Sequence, residues 1–279
     1  MFRESLGQLL GDCSPEEIVF VTGAGLSAAS GIPTFRGEGG YWTVGSTEYR
    51  PEQLATWEAF QQMPREVWRW YLYRRGVCRD AAPNLGHEIL ATLEQELGPR
   101  FHLITQNVDG LHLRAGNSIE RTFEIHGNID FMRCLDESCS ARLQPMDAAL
   151  RTDGRDAPLD DETWGQLRCH GCGGPTRPHV LWFDEYYDEV HYRATSSLDV
   201  AKSASLVVTI GTSGATNLPH QVVATAIQNG AAFVDINPQP NPFSEIAEQL
   251  PRGLWMSGPS NETLPIIADA LAASMRDNG

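Results

Sequence analysis

Thr22-Gly23-Ala24-Gly25-Leu26-Ser27-Ala28-Ala29-Ser30-Gly31-Ile32-Pro33-Thr34-Phe35-Arg36-Gly37 follows the apolar run Ile18-Val19-Phe20-Val21. That pairing predicts a buried strand that runs into a tight turn. Gly23 and Gly25 permit the turn and let backbone N–H groups approach an anion. Ser27, Ala28, Ala29 and Ser30 suit a closely packed first helical turn, which Gly31 and Pro33 then end. The Gly-x-Gly-x-x-Gly of dinucleotide-binding turns is incomplete, because Ala28 stands where the third glycine would be. Phe35 and Arg36 place an aromatic ring and a fixed cation just downstream.

Outward from this turn, Gly39 to Trp42 reads as loop, followed by helical patterns around Leu54, Trp57 and Phe60, and around Val67, Trp68, Tyr71 and Leu72 with Pro64 near the start. A third helix has Asn84 as N-cap, Leu90, Leu93 and Leu97 on one face, and Gly98-Pro99 as its stop. Strands are expected at Phe101–Thr105, Leu206–Ile210 and Ala232–Ile236. Each ends in a polar cluster: Gln106-Asn107-Val108-Asp109, Gly211-Thr212-Ser213 and Asn237. A last helix carries Leu264, Ile267, Leu271 and Met275 on one stripe. Strands alternating with helices predict an α/β fold, a doubly wound parallel (Rossmann-like) sheet, with ligands at the carboxyl ends of its strands. Residues 41–82 and 134–177 break the rhythm and read as insertions forming a smaller module, the first helical and the second zinc-binding. The large part then spans about 1–40, 83–133 and 178–279 of one domain over 1–279.

The formal charge of −15 argues against nucleic-acid partners, which need clustered Lys and Arg, and is compatible with basic peptides. No run approaches 18 apolar residues, and the acidic beginning lacks a signal-peptide pattern, so a cytoplasmic, membrane-free monomer is expected. Six cysteines in such a chain suggest metal or free thiols rather than disulfides. Cys134-x4-Cys139 and Cys169-x2-Cys172 suit a tetrahedral site with four thiolate ligands and no open position, hence one structural Zn2+. Cys13 and Cys78 stand alone.

Gln106-Asn107-Val108-Asp109 at a strand end can hold ribose hydroxyls and an amide, and His126 can act as a base near pH 7. Alone, each has a plainer reading: a turn for the first, a structural histidine for the second. Together with Gly23-Ala24-Gly25-x-Ser27-x-x-Ser30-Gly31-Ile32-Pro33-x-Phe35-Arg36, Gly211-Thr212-Ser213, Asn237 and Gly258-Pro259-Ser260, they resemble the sirtuins, NAD-dependent protein deacylases, over nearly the whole chain. The resemblance implies NAD as co-substrate, its pyrophosphate on the amides of Gly23, Ala24 and Gly25 near Arg36, with Ser27 in the same turn. It implies Gln106 on ribose hydroxyls, Asn107 and Asp109 at the nicotinamide end, and Phe35 shielding the reactive carbon. Gly211, Thr212, Ser213, Asn237 and Ser260 would line the adenosine side. His126 would be the base, with Asn107 also catalytic, in transferring the acyl group of a modified lysine to ADP-ribose.

Trp70-Tyr71-Leu72-Tyr73-Arg74-Arg75 bears on which acyl group is taken. On a helix Tyr71 and Arg74 are i and i+3 neighbours, and an arginine fork suits a carboxylate. The pair resembles the one with which class III sirtuins recognise succinyl, malonyl or glutaryl lysine, and Thr34 matches that branch too. The expectation is acidic-acyl removal from proteins or peptides, with Phe183 in the peptide cleft. The alternatives are a broad deacetylase, a protein ADP-ribosyltransferase or NAD glycohydrolase, or a silent NAD-binding module. Three segments depart from the family pattern: Asp184 where glycine is usual, residues 211–219 without an apolar pair, and Asn237-Pro238-Gln239-Pro240. A side chain at 184 is expected to hinder backbone approach by a peptide.

Overall fold

In the computed structural model the described residues are 2–11, 16–33, 42–44, 47–152, 154–155 and 157–277. Cys13, Thr34, Phe35, Arg36, residues 39–41 and the Met275 side chain lie outside them. The strands are β1 (Ile18–Thr22), β2 (Trp42–Val44), β3 (Thr47–Tyr49), β4 (Phe101–Thr105), β5 (Thr122–Glu124), β6 (Gly127–Cys134), β7 (Leu143–Pro145), β8 (Thr176–Val180), β9 (Leu206–Ile210), β10 (Ala232–Asn237) and β11 (Gly253–Ser257).

Six of them form one sheet in the order β11-β10-β9-β1-β4-β5, every neighbouring pair parallel. The chain builds outward from β1 to β4 and β5 on one side, then to β9, β10 and β11 on the other. The switch point is therefore at β1, and in such sheets ligands bind at the carboxyl ends of the strands beside it, here β1, β4 and β9. A parallel sheet must be covered on both faces, and side chains two apart share a face. Ile18, Phe20, Val208 and Val234 pack with Leu90, Leu93 and Leu97 of the helix Leu85–Leu97 and with Leu264, Ile267 and Leu271 of Ser260–Asp277. Val19, Val21, Val207 and Phe233 pack on the other face with Ala201 of the helix Ala194–Ser203, Val222 of Asn217–Gln228 and Phe243 of Pro242–Gln249. Asn84 caps its helix as expected, accepting from the Gly86 N–H at 2.9 Å, and Gly98 ends it at φ +58°.

A separate core joins the helices Trp57–Gln62 and Pro64–Asp80 to an antiparallel sheet, β7-β6-β8. The Trp68 indole N–H crosses that core to the Thr176 carbonyl at 3.1 Å. Two sequence expectations change here. Trp42 opens the short antiparallel pair β2–β3 rather than closing a loop, so the 41–82 stretch is not wholly helical. The zinc-bearing stretch is framed by strands that begin at Gly127 and end at Val180, outside the expected bounds.

Candidate active site

The turn after β1 and the end of β9 interlock. The Gly23 N–H donates to the Ile210 carbonyl at 3.0 Å, and the Gly25 N–H to the Gly211 carbonyl at 2.8 Å. Gly211 has φ +59°, and a Cβ added there would lie 2.6 Å from the Leu26 nitrogen. These glycines are thus required by each other, and two of the three amides expected to meet a pyrophosphate are engaged within the chain. The Ala24 N–H, first of the helix Ala24–Ala28, is among the donors that a helix start leaves without an intrahelical partner.

The residues after β4 form one hydrogen-bonded group with that turn. The Gln106 backbone N–H donates to the Thr22 carbonyl at 3.0 Å. Its side-chain Nε2 donates to Thr212 Oγ1 at 2.9 Å, and its Oε1 accepts from the Thr216 hydroxyl at 2.7 Å. Asn107 Nδ2 donates to the Gly23 carbonyl at 3.0 Å and to Ser27 Oγ at 3.1 Å. Ser27 Oγ in turn donates to Asp109 Oδ2 at 2.7 Å, and the Leu111 N–H donates to Asp109 Oδ1. Burial pushes the Asp109 carboxyl up, against those two hydrogen bonds. Asn237 Nδ2 donates to the Thr212 carbonyl at 2.8 Å, and the Gly258 N–H, two residues before Ser260, reaches the Asn237 carbonyl. Ser213 sits on the exposed loop beyond Thr212. Apart from Phe35 and Arg36, which lie outside the described residues, the expected nucleotide-binding residues gather at one edge of the sheet.

His126 is at the same edge. Gly127, at φ +84°, follows it where a Cβ would meet the His179 carbonyl oxygen at 2.1 Å, so the chain passes close against β8 only because no side chain is there. His126 Nδ1 lies 2.9 Å from the Gln106 carbonyl oxygen, and Nε2 lies 2.9 Å from the Tyr187 hydroxyl. A carbonyl oxygen only accepts, so Nδ1 carries the hydrogen and Nε2 the lone pair. Burial lowers the imidazole to about 4, the Gln106 contact opposing it. The ring is therefore neutral at pH 7, the state a base requires.

Tyr71 is buried, and its hydroxyl accepts from the Trp182 indole N–H at 2.9 Å. Burial drives this phenol far above its usual range, while Arg74 pulls it down. The Arg74 guanidinium lies 5.2 Å over the Trp70 ring, and its charge also acts on Asp109. Phe183 is exposed, with its N–H on the Ala55 carbonyl at 2.9 Å. Asp184 does not project as a bare obstacle. Its carboxylate accepts from the Trp57 N–H at 2.7 Å and the Glu58 N–H at 3.1 Å, at the start of the helix Trp57–Gln62.

The four paired cysteines converge, all sulfur atoms lying within 4.8 Å of one another. Cys134 and Cys172 are 3.6 Å apart, as are Cys139 and Cys169. A tetrahedron with Zn–S bonds of about 2.3 Å has S···S edges of roughly 3.8 Å, so the four thiolates fit one zinc ion. The Gln144 amide donates to Cys169 Sγ at 3.0 Å and the Gly174 N–H to Cys172 Sγ at 3.4 Å, bonds that orient the ligands. Cys78 is buried elsewhere, and burial pushes its thiol up to about 12.

Sequence reasoning missed Thr216 and Tyr187. Thr216 lies past the Gly211-Thr212-Ser213 cluster, and Tyr187 lies in Glu185-Tyr186-Tyr187-Asp188, which has no periodicity to point it inward.

A switch-point crevice lined by amides and hydroxyls, with a neutral imidazole at its rim, defines the Rossmann-like class of nucleotide-binding α/β proteins. The model of the Sir2 family matches residues 23–217. An NAD-dependent protein deacylase of Leptospira interrogans is 38% identical over 250 residues, covering 90% of this chain and 91% of that one. One of Aquifex aeolicus is 40% identical over 232 residues, covering 83% and 87%. A solved Sir2 homologue in complex with NAD aligns with a TM-score of 0.75 and 29% identity, over 100% of this chain and 94% of that one. This chain belongs to the Sir2 family.

Proposed function

We infer that the chain is an NAD-dependent protein-lysine deacylase that prefers acidic acyl groups and releases nicotinamide and 2′-O-acyl-ADP-ribose. One observation carries the deacylase reading: Gln106 joins Thr22, at the glycine turn, to His126 through its own backbone N–H and carbonyl. This link supports a base and a nucleotide-binding turn acting side by side. NAD supplies the electrophilic ribose carbon and the departing nicotinamide. Ala24, Gln106, Asn107, Asp109, Thr212, Ser213, Asn237 and Ser260 are the residues that would hold it. His126 would take a ribose hydroxyl proton at Nε2, its Nδ1–H held by Gln106. Acyl-lysine proteins or peptides are the second substrate, entering beside Phe183.

The acidic-acyl preference rests on the helix Pro64–Asp80. It brings Tyr71 and Arg74 within electrostatic reach of each other, and Arg74 within reach of Asp109 at the crevice. A guanidinium there matches the two-oxygen geometry of an acyl carboxylate, which an acetyl group lacks. The same reading divides the chain into the large part and the small module, a division that the separate cores support. Among the described residues no helix is long and apolar enough to cross a membrane.

The test is turnover of acetyl- and succinyl-lysine peptides with NAD, with products read by mass spectrometry. Succinyl peptide should be the better substrate and yield 2′-O-succinyl-ADP-ribose. His126→Ala should lower deacylation by about 10²–10⁴-fold while calorimetry shows NAD still bound. Arg74→Met should depress desuccinylation by about 10²-fold and deacetylation only severalfold, because the acyl carboxylate loses a charge-assisted hydrogen bond worth about 1.5–3 kcal/mol. Equal losses on both peptides would overturn the acidic preference. ADP-ribosylated protein or free ADP-ribose as the main product would overturn deacylation itself.

A further inference from the structure

Tyr187 lies between β8 and the helix Ala194–Ser203, and it occupies the one atom of His126 through which a proton can be taken. Its hydroxyl is 2.9 Å from Nε2, and the two rings stack with centroids 5.9 Å apart and planes 29° apart. Since Nε2 holds the lone pair, the phenol donates and the imidazole accepts. Burial raises Tyr187 to about 12, so the donor is a neutral phenol throughout the working pH range.

The backbone on either side of Tyr187 is pinned. Glu185 pairs with Arg177, with Nη2 to Oε2 at 2.8 Å, and accepts from the Trp182 N–H at 2.9 Å. Asp188 accepts from the His191 N–H at 2.7 Å and caps the short helix Glu189–Tyr192. With both neighbours held, side-chain rotation is the route open to Tyr187 for leaving Nε2. No carboxylate or cation among the described residues faces the His126 ring. Glu124, on β5, is turned to Asn128 Nδ2 at 2.8 Å, and Asp109 is turned to Ser27 and the Leu111 amide. Among the described residues the imidazole's hydrogen-bond partners are the Gln106 carbonyl and the Tyr187 hydroxyl.

We propose that Tyr187 is a positioning residue that caps the general base, holding His126 in one plane and one tautomer until the substrate's sugar hydroxyl displaces it from Nε2. This rests on the deacylase reading for its consequence, but not for the cap itself. In the exchange the Tyr187 O–H···Nε2 bond is given up and the phenol keeps its proton. The sugar O–H then breaks as Nε2–H forms, the electron pair stays on the sugar oxygen for its attack on the acyl carbon, and the imidazolium shares its Nδ1–H with the Gln106 carbonyl. A donor on Nε2 favours the neutral ring, so removing it raises the His126 pKa.

The variant is Tyr187→Phe, which keeps the ring and loses the hydroxyl. Nitrogen NMR of the protein without substrates should show His126 of the native chain as the Nδ1–H form with a depressed midpoint. In the variant the midpoint should rise by about one unit. The acidic limb of kcat/KM for an acyl-lysine peptide should move to higher pH by a similar amount. At pH 8 kcat/KM should increase by up to about fivefold, since no neutral hydrogen bond has to be exchanged. An unchanged His126 midpoint together with an unmoved limb would overturn the cap. So would a fall in kcat of about 10²-fold with the limb unmoved, which would make Tyr187 a proton carrier instead. If the variant does not fold, the native chain still decides: a His126 that titrates at its ordinary value or protonates at Nε2 ends the proposal. A native chain with no acyl-lysine turnover refutes the deacylase reading, while the NMR result on the cap stands apart from it.

Discussion

Asp184 stands in a segment where a peptide running alongside would favour glycine, yet its carboxylate closes the start of a helix more than a hundred residues earlier. The Trp57 and Glu58 N–H groups are two of the donors a helix start leaves without partners, and a negative charge there also meets the positive end of the helix dipole. Thr56 caps the same turn through its own hydroxyl, accepting from the Ala59 N–H at 3.0 Å. Asp184→Ala should therefore lower unfolding free energy by about 1 kcal/mol, read from urea denaturation, because one of two caps survives. A loss of less than about 0.3 kcal/mol would mean that solvent satisfies those amides equally well. The carboxylate also ties the Trp182–Glu185 turn to the helical insertion, so its removal should weaken acyl-peptide binding before it affects NAD binding.

At the scale of elements, the central contact is between the turn after β1 and the end of β9. Gly211→Ala puts a methyl group 2.6 Å from the Leu26 nitrogen at a positive φ. The backbone strain alone costs about 1–3 kcal/mol, and the overlap adds to it. The variant should unfold at markedly lower urea concentration and bind NAD weakly. A stability within 0.5 kcal/mol of the native chain would show that the two loops part without penalty. This is also where the sequence was most legible. β1, β4, β9 and β10 are short, largely apolar runs, the first closed by the glycine turn and the others by polar clusters, and that pattern reads directly as a buried parallel strand. β6 and β8 were not legible. Thr176-Arg177-Pro178-His179-Val180 is polar in composition but buried along its whole length. Arg177 is held there by Glu185 and by the Trp182 ring, 3.5 Å from the guanidinium carbon. β6 has a register shift between Gly127 and Met132 that breaks any alternation. The residues proposed to hold the nucleotide could be singled out because they follow strands. Tyr187 was not, because its contact with His126 spans 61 residues and depends on a turn pinned at both ends.

Across the whole molecule, histidines held neutral by burial give stability a definite dependence on pH. Burial lowers His87 to about 4 and His179 to about 3, each with further lowering from nearby cations. His112 is driven well below its ordinary value, and His126 to about 4. In the unfolded chain all four protonate near pH 6.5. Their contribution is therefore intact above that value and is lost as pH falls toward the folded values, because the unfolded state binds the protons first. At pH 5, His87 and His179 would each have lost about 2 kcal/mol. Glu124 acts in the opposite sense. Burial raises it to about 7, so the folded state holds its proton, and its contribution is lost as pH rises through 7 and recovered on acidification. Asp109 and Asp235, also raised by burial, act with it. Four imidazoles outweigh these carboxyls between pH 6.5 and 5, so the urea midpoint should fall over that interval. A midpoint that holds level or rises would mean that the imidazoles do not outweigh the buried carboxyls.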